Sequence, residues 1–128
     1  MTVIRWLGRA CFIWLALAAT SASAMTVAEF LTRADALKAK GMMAMFSGSE
    51  IKALKGEVMT AAGAYRDDVA KARLSGTMSF GCPPAKGKAK LSSDDLIAGL
   101  RAIPADRRQS ISVKAGFYDF MKARYPCK

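Results

Sequence analysis

The N-terminal segment decides how much of the chain is available to fold. Arg5 and Arg9 give the segment a positive start, and the ten residues that follow Arg9 are all apolar. The small residues after this run end at Ala24 and satisfy the small-x-small rule for signal-peptide cleavage. We therefore expect residues 1–24 to be a cleaved signal peptide, which leaves residues 25–128 to form a single domain.

The apolar run also bears on localisation. Its ten residues are about half of the roughly twenty that a helix needs to cross the hydrocarbon core of a bilayer. An uncleaved membrane anchor is therefore the disfavoured alternative, and we expect no stable membrane insertion. The expected location is the periplasm, reached by export.

Two cysteines remain once the signal peptide is removed, Cys82 and Cys127. An even pair in an exported chain predicts a disulfide bond, because the oxidising compartment permits one. Closing a loop of about 45 residues contributes roughly 4 kcal/mol in the chain-entropy model, which is comparable with the whole net stability of a small domain. Two free thiols, or half of a thiolate metal site, are the competing interpretations.

Apolar spacing predicts an all-α fold of four helices around one core. A stretch rich in Gly, Pro and Ser, residues 75–89, separates two helices from the next two. The last helix has two workable starts, Ala105 and Ser110. Capping sequences mark the other three helix N-termini at Thr26, Ser47 and Ser92. The expected core-facing residues are Val27, Phe30, Leu31, Ala34, Leu37, Ile51, Leu54, Val58, Ala61, Tyr65, Val69, Ala72, Leu96, Ile97, Leu100, Val113, Phe117, Phe120 and Met121.

The available side chains argue against catalysis. Histidine is absent from the sequence, which removes the commonest general base near neutral pH and the commonest transition-metal ligand. The paired carboxylates are sequence neighbours, Asp67–Asp68 and Asp94–Asp95. Adjacent helical residues point about 100° apart, which is unsuited to two carboxylates that face one substrate. The chain is predicted to be no enzyme and to have no catalytic residue.

Soft thioether ligands in the run Met42–Phe46 raise the question of copper. The run is uniformly apolar and lies between two predicted helices. We interpret it as flexible filling of the core, which is the ordinary role of Met. No metal site and no cofactor are predicted.

Charge indicates the kind of partner. The chain has 20 Lys and Arg against 10 Asp and Glu, and removal of Arg5 and Arg9 lowers its net charge from +10 to +8. Such an excess favours acidic partners, whether anionic lipid, cell-wall polymer or an acidic protein face. Nucleic acid is not expected as a partner of an exported protein.

A basic loop is the most exposed stretch that the sequence predicts. Lys86, Lys88 and Lys90 follow Cys82-Pro83-Pro84 closely, so the disulfide is expected to hold them in a semi-rigid arrangement. We predict that these three lysines bind the partner. A solvated connector with no binding role is the alternative, and Arg107–Arg108 would extend the basic surface if the fold brings the two regions together.

The C-terminal half resembles the Rap1a/Tai family of small exported immunity proteins. The resemblance rests on Phe80-Gly81-Cys82-Pro83, then a helix, Pro104, a further helix, and Tyr125-Pro126-Cys127. It covers residues 80–127, whereas the N-terminal half matches only in being helical. The sequence departs from the family at Gly81, because members commonly have Tyr directly before the first Cys.

The resemblance implies a function and a partner. Members of that family are periplasmic helical proteins that neutralise peptidoglycan amidase effectors of type VI secretion, often as homodimers. It therefore implies a protein partner, an effector amidase, and a homodimer as one expected assembly. The architecture is also similar to the HdeA-type periplasmic acid chaperones, which are small, helical and held by one disulfide. A chaperone or stress protein is thus the alternative function.

Overall fold

A computed structural model describes residues 24–128, so the predicted signal peptide lies almost wholly outside the described residues. The fold is all-α. Within the described range, residues outside the helices form loops and a single antiparallel bridge between Thr26 and Ser112. The helices are α1 (Val27–Ala39), a 3₁₀ turn (Gly41–Phe46), α2 (Gly48–Leu74), α3 (Ser93–Arg101), α4 (Ala105–Ser110) and α5 (Val113–Arg124).

One hydrophobic core is built from α1, α2, α3 and α5 together with Ile103, and α2 lies along α5. Tyr65 on α2 packs edge-on against Phe117 on α5, with the ring centroids 5.7 Å apart. The predicted apolar faces of α1, α3 and α5 are confirmed, whereas Ile51 of α2 is exposed rather than buried. The buried hydrophobic side chains are those of Val27, Phe30, Leu31, Leu54, Ala61, Tyr65, Val69, Ala72, Leu96, Leu100, Ile103, Val113, Phe117, Phe120 and Met121.

Two of the three predicted capping sequences act as caps. The Thr26 hydroxyl accepts the amide of Glu29 at 3.1 Å, and Ser92 exchanges two hydrogen bonds with Asp95. The prediction at Ser47 is wrong, because its side chain forms no hydrogen bond to the start of α2. That hydroxyl instead accepts a hydrogen bond from the ammonium group of Lys40.

The chain between α3 and the C-terminus forms two helices where one was predicted. Ala105, one of the two predicted starts, begins the short α4, and Ile111 then adopts an extended conformation. The Ser112 hydroxyl caps α5 by accepting the amide of Ala115 at 3.1 Å. The extended residues pair with the beginning of the described chain, where Val27 donates to the carbonyl of Ile111.

The run Met42–Phe46 corrects a prediction. Its four large side chains were expected to fill the core, but Phe46 is 84% exposed and Met42 is 85% exposed. The run forms the 3₁₀ turn between α1 and α2, and no residue of it is buried. The backbone of the run connects α1 to α2, whereas its large side chains face solvent.

Within residues 24–128, no helix combines the length and the apolar character needed to cross a bilayer. The same residues contain no group of three acidic or cysteine side chains placed to hold a metal ion.

Candidate functional site

The predicted disulfide between Cys82 and Cys127 is formed, with the two Cα atoms 5.0 Å apart. The backbone reinforces it, because the amide of Cys82 donates to the carbonyl of Tyr125 at 2.7 Å. These bonds attach the connection between α2 and α3 to the end of α5. We call this connection, residues 75–92, the anchored loop.

Gly81 explains why the backbones meet so closely at the disulfide. Its φ angle is +91°, a conformation that favours glycine. A Cβ atom at this position would lie 2.8 Å from the carbonyl oxygen of Tyr125. Glycine directly before Cys82 thus has a local structural reason.

Helix α2 holds the anchored loop from the other side. The buried Tyr65 donates its phenolic hydrogen to the carbonyl of Phe80 at 2.8 Å, and Arg73 donates to the carbonyl of Pro83 at 2.7 Å. The loop is therefore fixed both to α2 and to α5, and its presentation does not depend on the disulfide alone.

The space between α2 and the anchored loop is a cleft of about 450 Å³, which we call the basic cleft. Its walls come from one face of α2, from the loop and from the inward side of α5. The lining residues are Ala62, Tyr65, Arg66, Val69, Ala70, Arg73, Pro83, Pro84, Ala85, Lys86, Gly87, Ala89, Leu91, Phe117 and Met121.

The basic cleft combines an apolar floor with positive charge. Its floor lies on the buried side chains of Tyr65, Val69, Phe117 and Met121. The more accessible apolar lining comes from Ala70, Pro84 and Leu91. Its cations are Arg66, Arg73 and Lys86. All three are exposed. Among the described residues that line the cleft, none is acidic. The arrangement suits a ligand that brings both an apolar group and a negative charge.

The three predicted binding lysines do not all line one surface. Lys86 lines the basic cleft, whereas Lys88 and Lys90 lie outside its lining. A turn separates Lys86 from Lys88: Gly87 has a φ of +82°, and the amide of Lys88 donates to the carbonyl of Ala85. The loop therefore places one of the three cations against the cleft.

Arg107–Arg108 do not extend this surface. Arg107 forms an ion pair with Asp119 at 2.9 Å, and its helix, α4, packs against α1. Neither arginine lines the cleft.

Arg66 and Arg73 are the cleft residues that the sequence prediction missed. They lie seven residues apart on α2, hence two turns apart on one side of the helix. Both adjoin the predicted apolar stripe at Tyr65, Val69 and Ala72. Two arginines at this spacing beside an apolar stripe are the signal that could have indicated a basic surface on α2.

The tyrosines between α2 and α5 serve as hydrogen-bond donors. Tyr118 donates to the carboxylate of Asp68 at 2.6 Å. Burial and then the Asp68 hydrogen bond raise the pKa of Tyr118 above its ordinary value, and burial also raises the pKa of Tyr65. Both phenols therefore stay protonated at neutral pH and hold α2, α5 and the anchored loop together.

Comparison with known proteins gives no relative: no family model, no curated protein and no solved structure matches the chain.

Proposed function

We propose that this chain is an exported, non-enzymatic binding protein whose basic cleft receives an acidic segment of a protein partner. The partner we favour is a peptidoglycan amidase effector, so that the chain is an immunity protein of the Rap1a/Tai type. The observation that carries the proposal is an apolar cleft with Arg66 and Arg73 on α2 and Lys86 on the anchored loop, which is itself fixed at several points.

The cleft offers the two contributions that protein recognition requires. An apolar side chain of the partner would be desolvated against Ala70, Pro84 and Leu91, the kind of central contact that dominates binding energy. The three cations would attract an acidic segment and orient it. Because the loop is already fixed by Cys82 and by Arg73, little conformational entropy is lost on binding. The proposed mechanism is steric coverage of the effector's active-site cleft.

The direct test compares two double variants with the same loss of charge. Arg66→Gln with Lys86→Gln removes two cations that line the cleft, whereas Lys88→Gln with Lys90→Gln removes two outside it. Direct contact predicts that the first variant slows association about tenfold at low salt and also speeds dissociation. The second variant is expected to change association mildly and to leave the dissociation rate unchanged. If the two double variants change the dissociation rate equally, the partner does not make its contact in the basic cleft.

The binding partner for this test comes from the genome. A secreted amidase encoded beside this chain is the expected effector. Addition of the protein should inhibit peptidoglycan hydrolysis by that amidase, and the cleft variant should inhibit it less than the Lys88/Lys90 variant does. Full binding without any inhibition would contradict the steric mechanism.

Export has its own test. The amide of Val113 donates to the carbonyl of Met25 at 2.9 Å, and Val27 donates to Ile111. Cleavage after Ala24 leaves both bonds intact, so processing at this point is compatible with the fold. Mass spectrometry of protein from the periplasmic fraction should show a chain that begins at Met25. An intact Met1, or a chain retained in the membrane fraction, would contradict export with cleavage.

The HdeA-type chaperone is the second candidate, and the exposed apolar side chains of Met42–Phe46 are the observation in its favour. A chaperone should suppress the aggregation of an unfolded client protein at low pH, in proportion to its concentration. If the wild-type protein inhibits the amidase but has no effect on the aggregation of the client, the immunity function is supported and the chaperone function is contradicted.

A further inference from the structure

The 3₁₀ turn Gly41–Phe46 carries an exposed apolar surface, which we call the methionine segment. Met42 and Met45 are 85% and 79% exposed, and Met43 and Phe46 are 64% and 84% exposed. Single exposed apolar residues are ordinary, but contiguous ones mark surfaces that bind another apolar phase. The basic cleft lies elsewhere and does not include any residue of this segment.

The methionine segment is held in place by the helices on either side. Lys40 donates to the hydroxyl of Ser47 at 3.1 Å, which bridges the two ends of the turn. Behind it, Arg33 of α1 donates to the carboxylate of Glu50 on α2 at 2.8 Å. The apolar side chains are therefore displayed from an attached backbone at the junction of α1 and α2.

The charges around the methionine segment are mostly positive. The stretch from residue 36 to residue 55 contains four lysines and one acidic residue, Glu50. The carboxylate of Glu50 is already paired with Arg33. The lysines are Lys38, Lys40, Lys52 and Lys55, and all four are exposed. The end of α1 and the first two turns of α2 thus supply exposed cations on both sides of the methionine segment in the chain.

We propose that the methionine segment docks the protein on an anionic lipid surface. The apolar side chains of Met42, Met45 and Phe46 would enter the boundary between headgroups and acyl chains, while the surrounding lysines contact anionic headgroups. Apolar area combined with attraction of basic residues to anionic lipid is what drives interfacial binding of this kind. The docking is peripheral and reversible.

A second copy of the chain fits the methionine segment less well. In a two-fold dimer the same surface meets itself, so the lysines beside one segment would face those beside the other. A rigid protein partner is also disfavoured, because a stable protein interface buries about 800 Å² on each side, far more than a few projecting side chains supply. A bilayer needs no matching shape and supplies the opposite charge.

The sequence offers a clean optical test. Both tryptophans of the chain, Trp6 and Trp14, fall within the predicted signal peptide. In processed protein from the periplasm, Phe46→Trp therefore provides a single tryptophan at the centre of the proposed contact. Its emission should shift to the blue with vesicles that contain phosphatidylglycerol, and brominated acyl chains should quench it. Pure phosphatidylcholine vesicles should produce neither effect.

A matched pair of serine variants isolates the apolar contribution. Phe46→Ser and Leu74→Ser each remove a large exposed side chain, 84% and 91% exposed respectively. Phe46→Ser should lower the partitioning onto phosphatidylglycerol vesicles about tenfold, because burial of one aromatic side chain corresponds to at least that factor. Leu74→Ser should leave it unchanged. If the chain keeps residues 1–24, this comparison still holds, because both variants share them.

The charge contribution is tested in the same way. Lys38→Gln with Lys52→Gln should weaken vesicle binding, and the loss should shrink as salt rises beyond about 0.15 M. Lys88→Gln with Lys90→Gln removes the same charge elsewhere and should weaken binding less. Equal binding to neutral and anionic vesicles, or equal loss in the two serine variants, would overturn the proposal. The proposal would also be overturned if the tryptophan emission of the Phe46→Trp variant changed with an unfolded client protein but did not change with vesicles.

Discussion

The two connections on either side of α2 contrast in composition and in attachment. The anchored loop is rich in Lys, Gly and Pro, yet a disulfide and hydrogen bonds from Tyr65 and Arg73 hold it against α2 and α5. The methionine segment is almost wholly apolar, yet its side chains face solvent. Composition alone would predict a free, solvated anchored loop and a buried methionine segment, and the structure shows the opposite in both cases.

The difference lies in what the neighbouring helices supply. Helices α2 and α5 bring a buried phenol and a cysteine to the anchored loop, so its polar backbone finds partners. The junction of α1 and α2 supplies the Arg33–Glu50 ion pair and the Lys40–Ser47 hydrogen bond, and the core of the described residues includes none of the four large side chains of the methionine segment. The two proposed contacts rest on this difference: attachment by specific bonds in the anchored loop, and an exposed apolar surface in the methionine segment.

The disulfide is expected to contribute most to this contrast. Replacement of Cys82 and Cys127 by Ser should lower the free energy of unfolding by about 2–5 kcal/mol, because the unfolded chain is no longer cross-linked. The variant should also lose affinity at the basic cleft while vesicle binding by the methionine segment persists. Chemical denaturation of both proteins measures the first effect. A wild-type melting temperature that is unchanged by reductant would show that the bond is not structural.

Two glycines provide the next test, one in each connection. Gly41 and Gly81 both have positive φ, but a Cβ atom at Gly41 meets open space, whereas one at Gly81 meets the Tyr125 carbonyl. Gly81→Ala should cost about 3 kcal/mol, from the strained φ together with the overlap. Gly41→Ala should cost only about 1 kcal/mol, from the conformation alone. Equal losses in urea denaturation would mean that the close approach at Gly81 does not constrain the fold.

The buried hydrogen bond of Tyr65 gives a smaller expected effect. Tyr65→Phe leaves the carbonyl of Phe80 without this donor and should cost about 1 kcal/mol. The ring itself stays in place against Phe117, so the core should be unchanged. Tyr125→Phe is the matched control, because the Tyr125 hydroxyl takes part in no hydrogen bond within residues 24–128. If Tyr125→Phe lowers the free energy of unfolding as much as Tyr65→Phe does, the loss does not come from the hydrogen bond to Phe80.

Most of the fold could be predicted from patterns within short stretches of the sequence. The spacing of apolar residues located the helices, and the pair Cys82 and Cys127 predicted the disulfide, because an even number of cysteines after the predicted signal peptide leaves few alternatives. The capping prediction at Ser47 was wrong because both of its side chains have other partners. Ser47 accepts a hydrogen bond from Lys40. Its expected partner Glu50 is paired with Arg33, seventeen residues away in sequence. Such competition is invisible in a four-residue pattern.

The candidate site was harder to predict for the same reason. The basic cleft depends on where the loop turns at Gly87, which directs Lys86 to the cleft and leaves Lys88 outside it. It also depends on Arg66 and Arg73, which lie on another element. The exposure of Met42–Phe46 depends on how the 3₁₀ turn projects from the junction of α1 and α2. These features follow from three-dimensional packing and not from the residues of each segment alone.

The smallest expected effect concerns acid and the attachment of the methionine segment. The hydrogen bond from Arg33 holds the pKa of Glu50 below its ordinary value of 4.5, so the carboxylate stabilises the fold above that pH. The contribution should disappear as the pH falls from 4.5 through the lowered pKa of the folded protein. In Glu50→Gln, the free energy of unfolding should therefore decline less steeply below pH 4.5 than in the wild type. Glu57→Gln, on the same helix and outside any ion pair of the described residues, should keep the wild-type slope. Denaturant titrations at several pH values measure the slopes, and an unchanged slope in Glu50→Gln would show that the Arg33 pair does not stabilise this junction.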